Sequence, residues 1–266
     1  MRKGIPLLLI SAGLLLACQT VPITGRQQLS LVSSESLLPM SFSSYREFLS
    51  KHRVIENTPQ AQTVQAVGTR IAQAVEEYFS SQGMADRLKG YQWEFHLIAD
   101  KSINAWAMPG GKVVVYSGIL PVAQNDAGLA VVMGHEISHA VAAHGEERMS
   151  QGLIAQMGGA ALSTALSQKP QETVNLFMQA YGLGTQVGVL LPYSRVQETE
   201  ADHLGLIFMA MAGYDPRVSV DFWQRMSAAQ QGGAPPEFLS THPADETRIK
   251  NIREFIPEAM QYYRPR

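Results

Sequence analysis

The chain has 266 residues, a formal net charge of −2 and one cysteine. Hydrophobic residues make up 45% of it and charged residues 17%, which is ordinary for a folded domain and atypical of a disordered chain. The length suffices for one compact domain with a full core. Because the charge is nearly balanced, there is no basic field, and nucleic acid is not expected as a partner.

The first 17 residues have the pattern of a signal peptide. Arg2 and Lys3 supply a positive start. The uncharged apolar run of residues 5–16 that follows is too short to span a bilayer comfortably. We therefore expect residues 1–17 to be a signal peptide that directs export across a bacterial inner membrane.

Cys18 ends the segment Leu-Leu-Ala-Cys, which resembles a bacterial lipobox, in which the cysteine is acylated. A chain without any other cysteine suits an oxidising periplasm, although an incidental thiol is the alternative interpretation. A lipid on Cys18 would hold the protein on a membrane surface. Gln19 at the next position, by resemblance to enterobacterial sorting, favours the outer membrane over the inner one.

Residues 18–29 are expected to form a lipidated tether, since Pro22 and Gly25 interrupt any helix. Residues 30–266 are then expected to form one domain. Apolar residues at helical spacing predict its first helix over residues 30–54.

A small β region follows a second predicted helix, which opens at Pro59. Apolar and polar residues alternate over residues 91–97, which predicts a half-buried strand, and residues 112–116 predict another. Beyond Gly118 the pattern is mostly helical. Strands followed by a run of helices predict an α+β domain with a small sheet beside a helical body.

The pattern H-E-x-x-H is formed by His135, Glu136 and His139. On an α-helix, residues four apart lie about 40° apart around the axis, so both imidazoles would point the same way. That arrangement suits two ligands of a tetrahedral Zn²⁺, and Glu136 could reach a water on the metal. The apolar residues before His135 predict a buried helix, in which two hydrogen-bonded core histidines are the alternative.

A third ligand is expected from residues 195–202, which carry three carboxylates. Glu198 and Asp202 are four residues apart and share a helical face, whereas Glu200 lies about 200° from Glu198. We therefore predict Glu198 as the third ligand of one zinc ion per chain. Asp202 is predicted to accept a hydrogen bond from a ligating histidine, and Glu200 to be a solvated or ion-paired surface residue.

The other histidines are not predicted to be ligands. On a continuous helix His144 would lie about 180° from His135, so we expect it to be a surface or packing residue. His203 is off the face that carries Glu198, and His52 and His96 have no partners nearby in sequence.

Together these motifs resemble the metallopeptidase family that includes the CAAX prenyl protease, HtpX and BepA. The family pairs H-E-x-x-H with a downstream E-x-x-x-D helix, which Glu198 and Asp202 match. Its soluble bacterial members share an N-A-x-x-x-P-G element, matched by residues 104–110, and a late S-T-H-P segment, matched by residues 240–243. The resemblance covers residues 63–253.

The resemblance implies a mostly helical, zincin-like α+β fold with a small sheet next to the H-E-x-x-H helix. It also implies peptide-bond hydrolysis, with Zn²⁺ on His135, His139 and Glu198, and with Glu136 as the group that moves the proton. As substrates we expect misfolded or mis-assembled proteins of the bacterial cell envelope. The membrane, through the lipid, and the outer-membrane assembly machinery are further expected partners.

Substrate and regulation rest on weaker patterns. An extended peptide could add to a strand edge at residues 113–116, which places Val114 in the cleft, with Asn104 and Ala105 lining it through backbone groups. His242 has three interpretations: a latch at the water position, by resemblance to BepA-like relatives, an oxyanion donor, or a simple loop residue.

Several alternatives stay open at this stage. A narrow processing peptidase and a chaperone-like or assembly-factor lipoprotein for outer-membrane proteins are rival functions. A structural zinc site is disfavoured, since a closed site rarely keeps a general-base Glu beside it. Residues 152–191, rich in Gly, Ala, Ser and Met, are either a movable cover or tightly packed helices, and Arg248 is either an electrostatic partner of the site or a structural residue.

Overall fold

The computed structural model describes residues 18–157, 194–229, 237–243 and 246–265, together with Leu176 and Ala180. The signal-peptide pattern of residues 1–17 and most of the segment 152–191, including the cover predicted there, lie outside the described residues. Among the described helices, none combines the length and the apolar character that a membrane crossing requires.

Helices dominate the described part of the chain. α1 begins after Ser33, whose hydroxyl accepts from Ser36 N, and α2 begins after Thr58 with Pro59 in its first turn. The helices are α1 (Ser34–Lys51), α2 (Pro59–Ser81), α3 (Leu120–Ala123), α4 (Asp126–Val141), α5 (His144–Met157), α6 (Arg195–Met211), α7 (Val218–Ala228), α8 (Glu237–Thr241) and α9 (Glu246–Ala259).

A four-stranded sheet lies beside the helices. Its strands are β3 (Val54–Ile55), β4 (Glu94–Ile98), β5 (Ala105–Met108) and β6 (Lys112–Tyr116). They stand in the order β3-β4-β6-β5. β4 runs parallel to β6, whereas β3 pairs with β4 and β5 pairs with β6 in the antiparallel sense. The predicted α+β class, a mostly helical domain with a small sheet, is confirmed.

The strand order contradicts the predicted substrate edge at residues 113–116. β6 lies between β4 and β5, so both of its edges are already paired, and Val114 is 0% exposed. An added peptide cannot pair with β6, and Val114 is a core residue. Alternation in sequence identifies a strand, but tertiary packing decides its place in the sheet.

Residues 18–29 form a hairpin, where a tether was expected. β1 (Cys18–Thr20) pairs antiparallel with β2 (Gln27–Leu29), and the turn between them includes Gly25 with a φ of 69°. Gln28 Nε2 donates to the carbonyl of Ala142 at 2.7 Å. Pro22 and Gly25 therefore shape a tight turn in a packed element, which sequence alone does not distinguish from a linker.

α4 and α6 pack closely together at a pair of glycines, one on each helix. α4 is buried along its length from Gly128 to Val141, and it packs against α6. A Cβ on Gly134 would lie 3.1 Å from Gly205 O, and one on Gly205 would lie 3.0 Å from His135 N. Because neither glycine has a side chain, the two backbones approach closely at the residue before His135.

Candidate metal centre

Four buried side chains bring potential metal ligands to one point. His135 and His139 lie one turn apart on α4, Glu198 lies on α6, and His242 directly follows α8. One ligand atom from each of the four lies within 4.8 Å of the others. The predicted ligands of the H-E-x-x-H motif and of α6 are therefore brought together, and His242 joins them.

The spacing of these atoms fits a four-coordinate ion. His135 Nε2 is 3.1 Å from His139 Nε2 and 3.5 Å from Glu198 Oε2, and His139 Nε2 is 3.2 Å from Glu198 Oε1. His242 Nδ1 is 3.2 Å from His135 Nε2 and 2.8 Å from Glu198 Oε1. Donors of a tetrahedral ion with bonds of about 2.0–2.1 Å stand about 3.3 Å apart, so this set fits such a metal.

Asp202 and Arg248 support the ligands from behind. Asp202 Oδ1 is 2.9 Å from His135 Nδ1, the arrangement that the shared helical face of Glu198 and Asp202 predicted. Arg248 donates to both oxygens of Asp202, at 2.8 and 2.7 Å, and to Glu198 Oε2 at 2.8 Å. Its guanidinium lies 3.3 Å from the ring centroid of Trp223. Arg248 is thus an electrostatic partner of the site.

Glu136 lies against the ligands without belonging to them. It is 3% exposed, and its Oε1 is 3.5 Å from His242 Nε2. That oxygen has no hydrogen-bond partner among the described residues. Burial raises the pKa of the Glu136 carboxyl, against the lowering effect of the nearby histidines and Arg248. A carboxylate with a raised pKa and a vacant lone pair is suited to accept a proton.

Electrostatics favour the ligating forms of two of these groups. Although burial alone would raise it, the pKa of Glu198 is held well below its usual value by His242, Arg248 and His135. Burial lowers the pKa of His139 well below its usual value, which favours the neutral imidazole that a metal requires. Burial and Arg248 also act to lower the pKa of His135, but Glu198 and Asp202 raise it to about 9 without a metal.

His144 contacts the site, contrary to the surface position that was one of its predicted placements. α4 ends at Val141 and Ala143 has a φ of 61°, so the chain turns before α5 begins at His144. His144 is 0% exposed, and its Nδ1 is 2.9 Å from His139 Nδ1. The helical phase that placed it elsewhere assumed one continuous helix, and no glycine or proline at residues 142–143 signals the break.

Glu200 is ion-paired as predicted, but it is buried where a surface position was expected. It is 4% exposed, and its Oε2 is 3.2 Å from His144 Nε2. Arg26 Nε donates to both of its oxygens at 3.0 and 2.9 Å, and the hydroxyl of Thr24 donates to Oε1 at 2.7 Å. The face of α6 opposite Glu198 is therefore covered by the β1–β2 hairpin, which sequence reasoning took for a tether.

The remaining predicted residues make their hydrogen bonds and ion pairs with groups other than the four donors. Asn104 and Ala105 lie at the start of β5, where Asn104 Oδ1 accepts from Ala105 N at 2.9 Å. His203 pairs with Glu258 at 2.8 Å, and His96 with the hydroxyl of Tyr45 at 2.6 Å. His52 is exposed.

A buried H-E-x-x-H helix, a carboxylate on the adjacent helix and a small sheet beside them define a metallopeptidase. The model of peptidase family M48 matches residues 65–256, which is more than half of the chain. The chain belongs to this family.

Among similar proteins, the mitochondrial metalloendopeptidase OMA1 of Schizosaccharomyces pombe is 35% identical over 242 residues, 90% of this chain and 66% of that protein. Human OMA1 is 30% identical over 245 residues, 90% of this chain and 46% of its own length. The β-barrel assembly-enhancing protease of Escherichia coli is 31% identical over 186 residues, 66% of this chain and 38% of its own. The chain thus spans less than two thirds of each relative. The predicted enzyme class, metalloendopeptidase, is confirmed by the family and by these relatives.

The predicted location is contradicted by the same comparisons. The fission-yeast and human relatives, each matched over 90% of this chain, are named as mitochondrial, which does not agree with a lipid-anchored protein of the periplasm or outer membrane. The prediction rested on residues 1–19, which precede the matched family region, and a positive start before an apolar run does not by itself specify a membrane. The predicted lipid on Cys18 depended on this location and is no longer supported. In the structure Cys18 is the first residue of β1.

Proposed function

We propose that the chain is a zinc-dependent endopeptidase in which His135, His139 and Glu198 hold the metal. The observation that carries this proposal is the spacing of their donor atoms, 3.1 to 3.5 Å, which matches the edges of a tetrahedral site. Two imidazoles and one carboxylate are a ligand set that zinc peptidases use, with the fourth position kept for water or substrate. Asp202 and Arg248 keep His135 and Glu198 in place.

Glu136 is the proposed general base. When bound, zinc would polarise the scissile carbonyl and make the attacking water more acidic. Glu136 follows His135 on the same helix, and its Oε1, which makes no hydrogen bond with the described residues, is 3.5 Å from His242 Nε2. It would accept the proton of the water and return it to the leaving amine, a role to which a raised carboxyl pKa is suited.

The edge of β5 that faces away from β6, which pairs with no other described strand, is the proposed place for an extended substrate. Tyr116 N donates to Asn104 O, so Asn104 and every second residue after it direct their backbone groups towards β6. Ala105 and Ala107 therefore direct theirs to the other side. Main-chain pairing there would be sequence-tolerant, which supports misfolded proteins as substrates. Ala105 is 2% and Ala107 5% exposed, so binding requires a rearrangement that uncovers this edge.

His242 supports a closed resting state of this site. Its Nδ1 stands at the fourth corner, 3.2 Å from His135 Nε2 and 2.8 Å from Glu198 Oε1. A fourth protein ligand would fill the position that a catalytic zinc keeps for water. Of the interpretations of His242, this geometry favours the latch.

A second candidate function is assistance to protein assembly, with proteolysis secondary. It is favoured by the similarity to the Escherichia coli relative, whose name describes an assembly-enhancing protease, and by the closed arrangement around His242. Glu136→Gln separates the two functions. A mainly binding role survives this substitution in cells, whereas a proteolytic role does not.

Metal analysis combined with casein cleavage tests the first proposal. We expect about one zinc per chain in the wild type, cleavage that stops with a chelator, and zinc retained in Glu136→Gln with activity reduced by at least about 10²-fold. Glu47→Gln, at an exposed position in α1, is the matched control and should cleave like the wild type. Zinc far below one per chain, or full activity in Glu136→Gln, would refute the proposal.

A further inference from the structure

The two histidines of the H-E-x-x-H motif are supported from behind by different chemical groups. His135 Nδ1 faces a carboxylate, Asp202, at 2.9 Å. His139 Nδ1 faces a second imidazole, His144, at 2.9 Å, and the two rings are tilted by 72° with their centroids 4.9 Å apart. Both residues are buried, so no solvent competes for this contact.

The contact determines where the protons lie. His139 Nε2 is 3.2 Å from Glu198 Oε1, and when this nitrogen binds the proposed metal, the ring proton of His139 is on Nδ1. That proton is donated to His144 Nδ1, which must then be unprotonated. His144 carries its own proton on Nε2, 3.2 Å from Glu200 Oε2, in an off-line contact that is electrostatic in character. With these tautomers His139 Nδ1–H has an acceptor, and the Nε2–H of His144 faces the Glu200 carboxylate.

The β1–β2 hairpin holds Glu200, the last residue in the series of contacts that runs from His139 through His144. Arg26 donates through Nε to Glu200 at 2.9 Å and through both terminal nitrogens to Glu147, each at 2.8 Å. It thereby links the first turn of α5, which begins at His144, to α6. Gln28 ties the hairpin to the α4–α5 junction through the carbonyl of Ala142.

We propose that His144 is a positioning residue that orients His139 for the metal, and that the hairpin keeps it there through Arg26 and Glu200. The inference rests on the proposed function in one respect, the assignment of His139 as a ligand. The hairpin at residues 18–29 is accordingly part of the metal site's support. A second imidazole in place of a carboxylate gives His139 an acceptor without adding another negative charge behind the ligands.

A pair of variants separates positioning from packing. In His144→Asn the Oδ1 atom takes the place of Nδ1 and still accepts from His139, whereas His144→Leu fills similar space without an acceptor. We expect His144→Leu to raise the zinc dissociation constant, measured by competition with a chelator, by about 10- to 100-fold. His144→Asn should stay within about threefold of the wild type, because it keeps the same hydrogen bond.

The melting temperature of the metal-free protein is the second readout. If both variants lose zinc affinity equally and in step with that melting temperature, His144 is a packing residue and the inference is wrong. Wild-type affinity in His144→Leu would also overturn it. An affinity loss in His144→Leu that exceeds the loss in His144→Asn, at similar metal-free stability, supports it.

Arg26→Met tests the hairpin in the full chain, with Arg264→Met as the matched control. Arg264 is an exposed arginine in an ion pair with Glu77, so its loss should leave zinc affinity unchanged. We expect Arg26→Met to weaken zinc binding by about threefold to tenfold in the wild type and to have little further effect in His144→Leu, since both act through one contact series. Equal effects of Arg26→Met in the two backgrounds would refute this link.

Failure of this inference and failure of the proposed function give different results. If Glu198→Gln abolishes zinc binding while His144→Leu does not alter it, the ligand assignment stands and the role of His144 falls. If the wild type itself binds no zinc, the metal assignment falls, and the role of His144 falls with it.

Discussion

His242 reaches the donors because α8 carries it there. Its backbone N–H donates to Phe238 O at 2.9 Å, and its ring stacks on Phe238 with centroids 4.6 Å apart. Phe238 N in turn donates to Ile103 O beside β5. The side chain is thus held at the fourth corner of the site by its own short helix, and it does not hang from a loose loop.

Replacing His242 by alanine should raise peptidase activity in zinc-loaded protein. If the closed arrangement held by His242 is favoured by about 1 kcal/mol net, its loss predicts an increase of about fivefold in kcat/KM on unfolded casein. His203→Ala, which removes a histidine paired with Glu258 away from the donors, is the control. Lower activity in His242→Ala would instead identify an oxyanion donor.

Helical spacing predicted the positions of some residues of the site and not of others, depending on whether the helix is continuous. Glu198 and Asp202 lie on one uninterrupted helix, so their spacing was enough to separate the proposed ligand and its neighbour from Glu200. His144 follows a turn at Ala143, whose positive φ ends the helix. His144 therefore does not lie where a continuous helix would place it. Ala142 and Ala143 are ordinary helix formers, so the sequence offered no sign of that turn.

At the scale of elements, the contact between Gly134 and Gly205 sets the distance between the two ligand-bearing helices. A Cβ on Gly205 would lie 3.0 Å from His135 N and from Gly134 C, both of them backbone atoms that cannot rotate away. Any side chain there must push α4 and α6 apart. The separation of His135 from Glu198 is thereby fixed by the backbones.

Gly205→Ala should therefore weaken both folding and metal binding. We expect about 1–3 kcal/mol lower unfolding free energy, as is usual for overpacking, together with a higher zinc dissociation constant. Denaturant titration and chelator competition measure the two. Val196→Ala on the same helix, at a position 53% exposed, should change neither. Unaltered zinc affinity in Gly205→Ala would mean that the helices can separate without moving the ligands.

A pH effect is expected in α8. Burial first, and then the charge of Asp100, raise the pKa of Glu237, while a hydrogen bond with Asn104 opposes the shift. A folded-state pKa above the unfolded value means that the contribution of Glu237 is fully present below the unfolded pKa and is lost as pH rises through the folded pKa. Ionised Glu237 therefore weakens the docking of α8.

Glu237→Gln should remove that loss. The variant should melt with the wild type near pH 4, where the carboxyl is protonated, and above it at about pH 7. Glu254→Gln, an exposed residue of α9, should follow the wild type at both pH values. Parallel melting curves of Glu237→Gln and the wild type across this range would contradict the assignment.

Elements differ in how much of them the sequence specifies. The helix opened by Pro59, the strand of residues 112–116 and the H-E-x-x-H helix follow from local period and capping. The position of β6 inside the sheet and the pairing of residues 18–29 depend on contacts with distant segments, which no local pattern encodes. For this reason the predicted substrate edge at residues 113–116 and the predicted tether at residues 18–29 were wrong.

At the scale of the whole molecule, the metal would join parts of the chain that are far apart in sequence. His135 and His242 are separated by 107 residues, and Glu198 lies on a third segment. A ligand that binds only the folded protein stabilises it in proportion to the logarithm of its concentration. Occupancy of this site should therefore be measurable as global stability.

Zinc at about 100 times its dissociation constant should raise the free energy of unfolding by about 2.7 kcal/mol. For a domain of this size, this raises the melting temperature by about 5 to 10 °C. Differential scanning fluorimetry of metal-free and zinc-loaded protein checks this. Glu198→Gln should show a much smaller shift. An equal shift in Glu198→Gln would indicate that zinc binds elsewhere.

The four donor residues lie on segments that are synthesised one after another. α4 supplies its two histidines early, but Glu198 and His242 emerge from the ribosome only after a further stretch of chain has been made. A nascent polypeptide therefore has no complete catalytic centre while its own segments are still unfolded and open to cleavage. In the proposed enzyme, activity would therefore begin only after α6 and the segment that follows α8 have been synthesised and have folded onto α4.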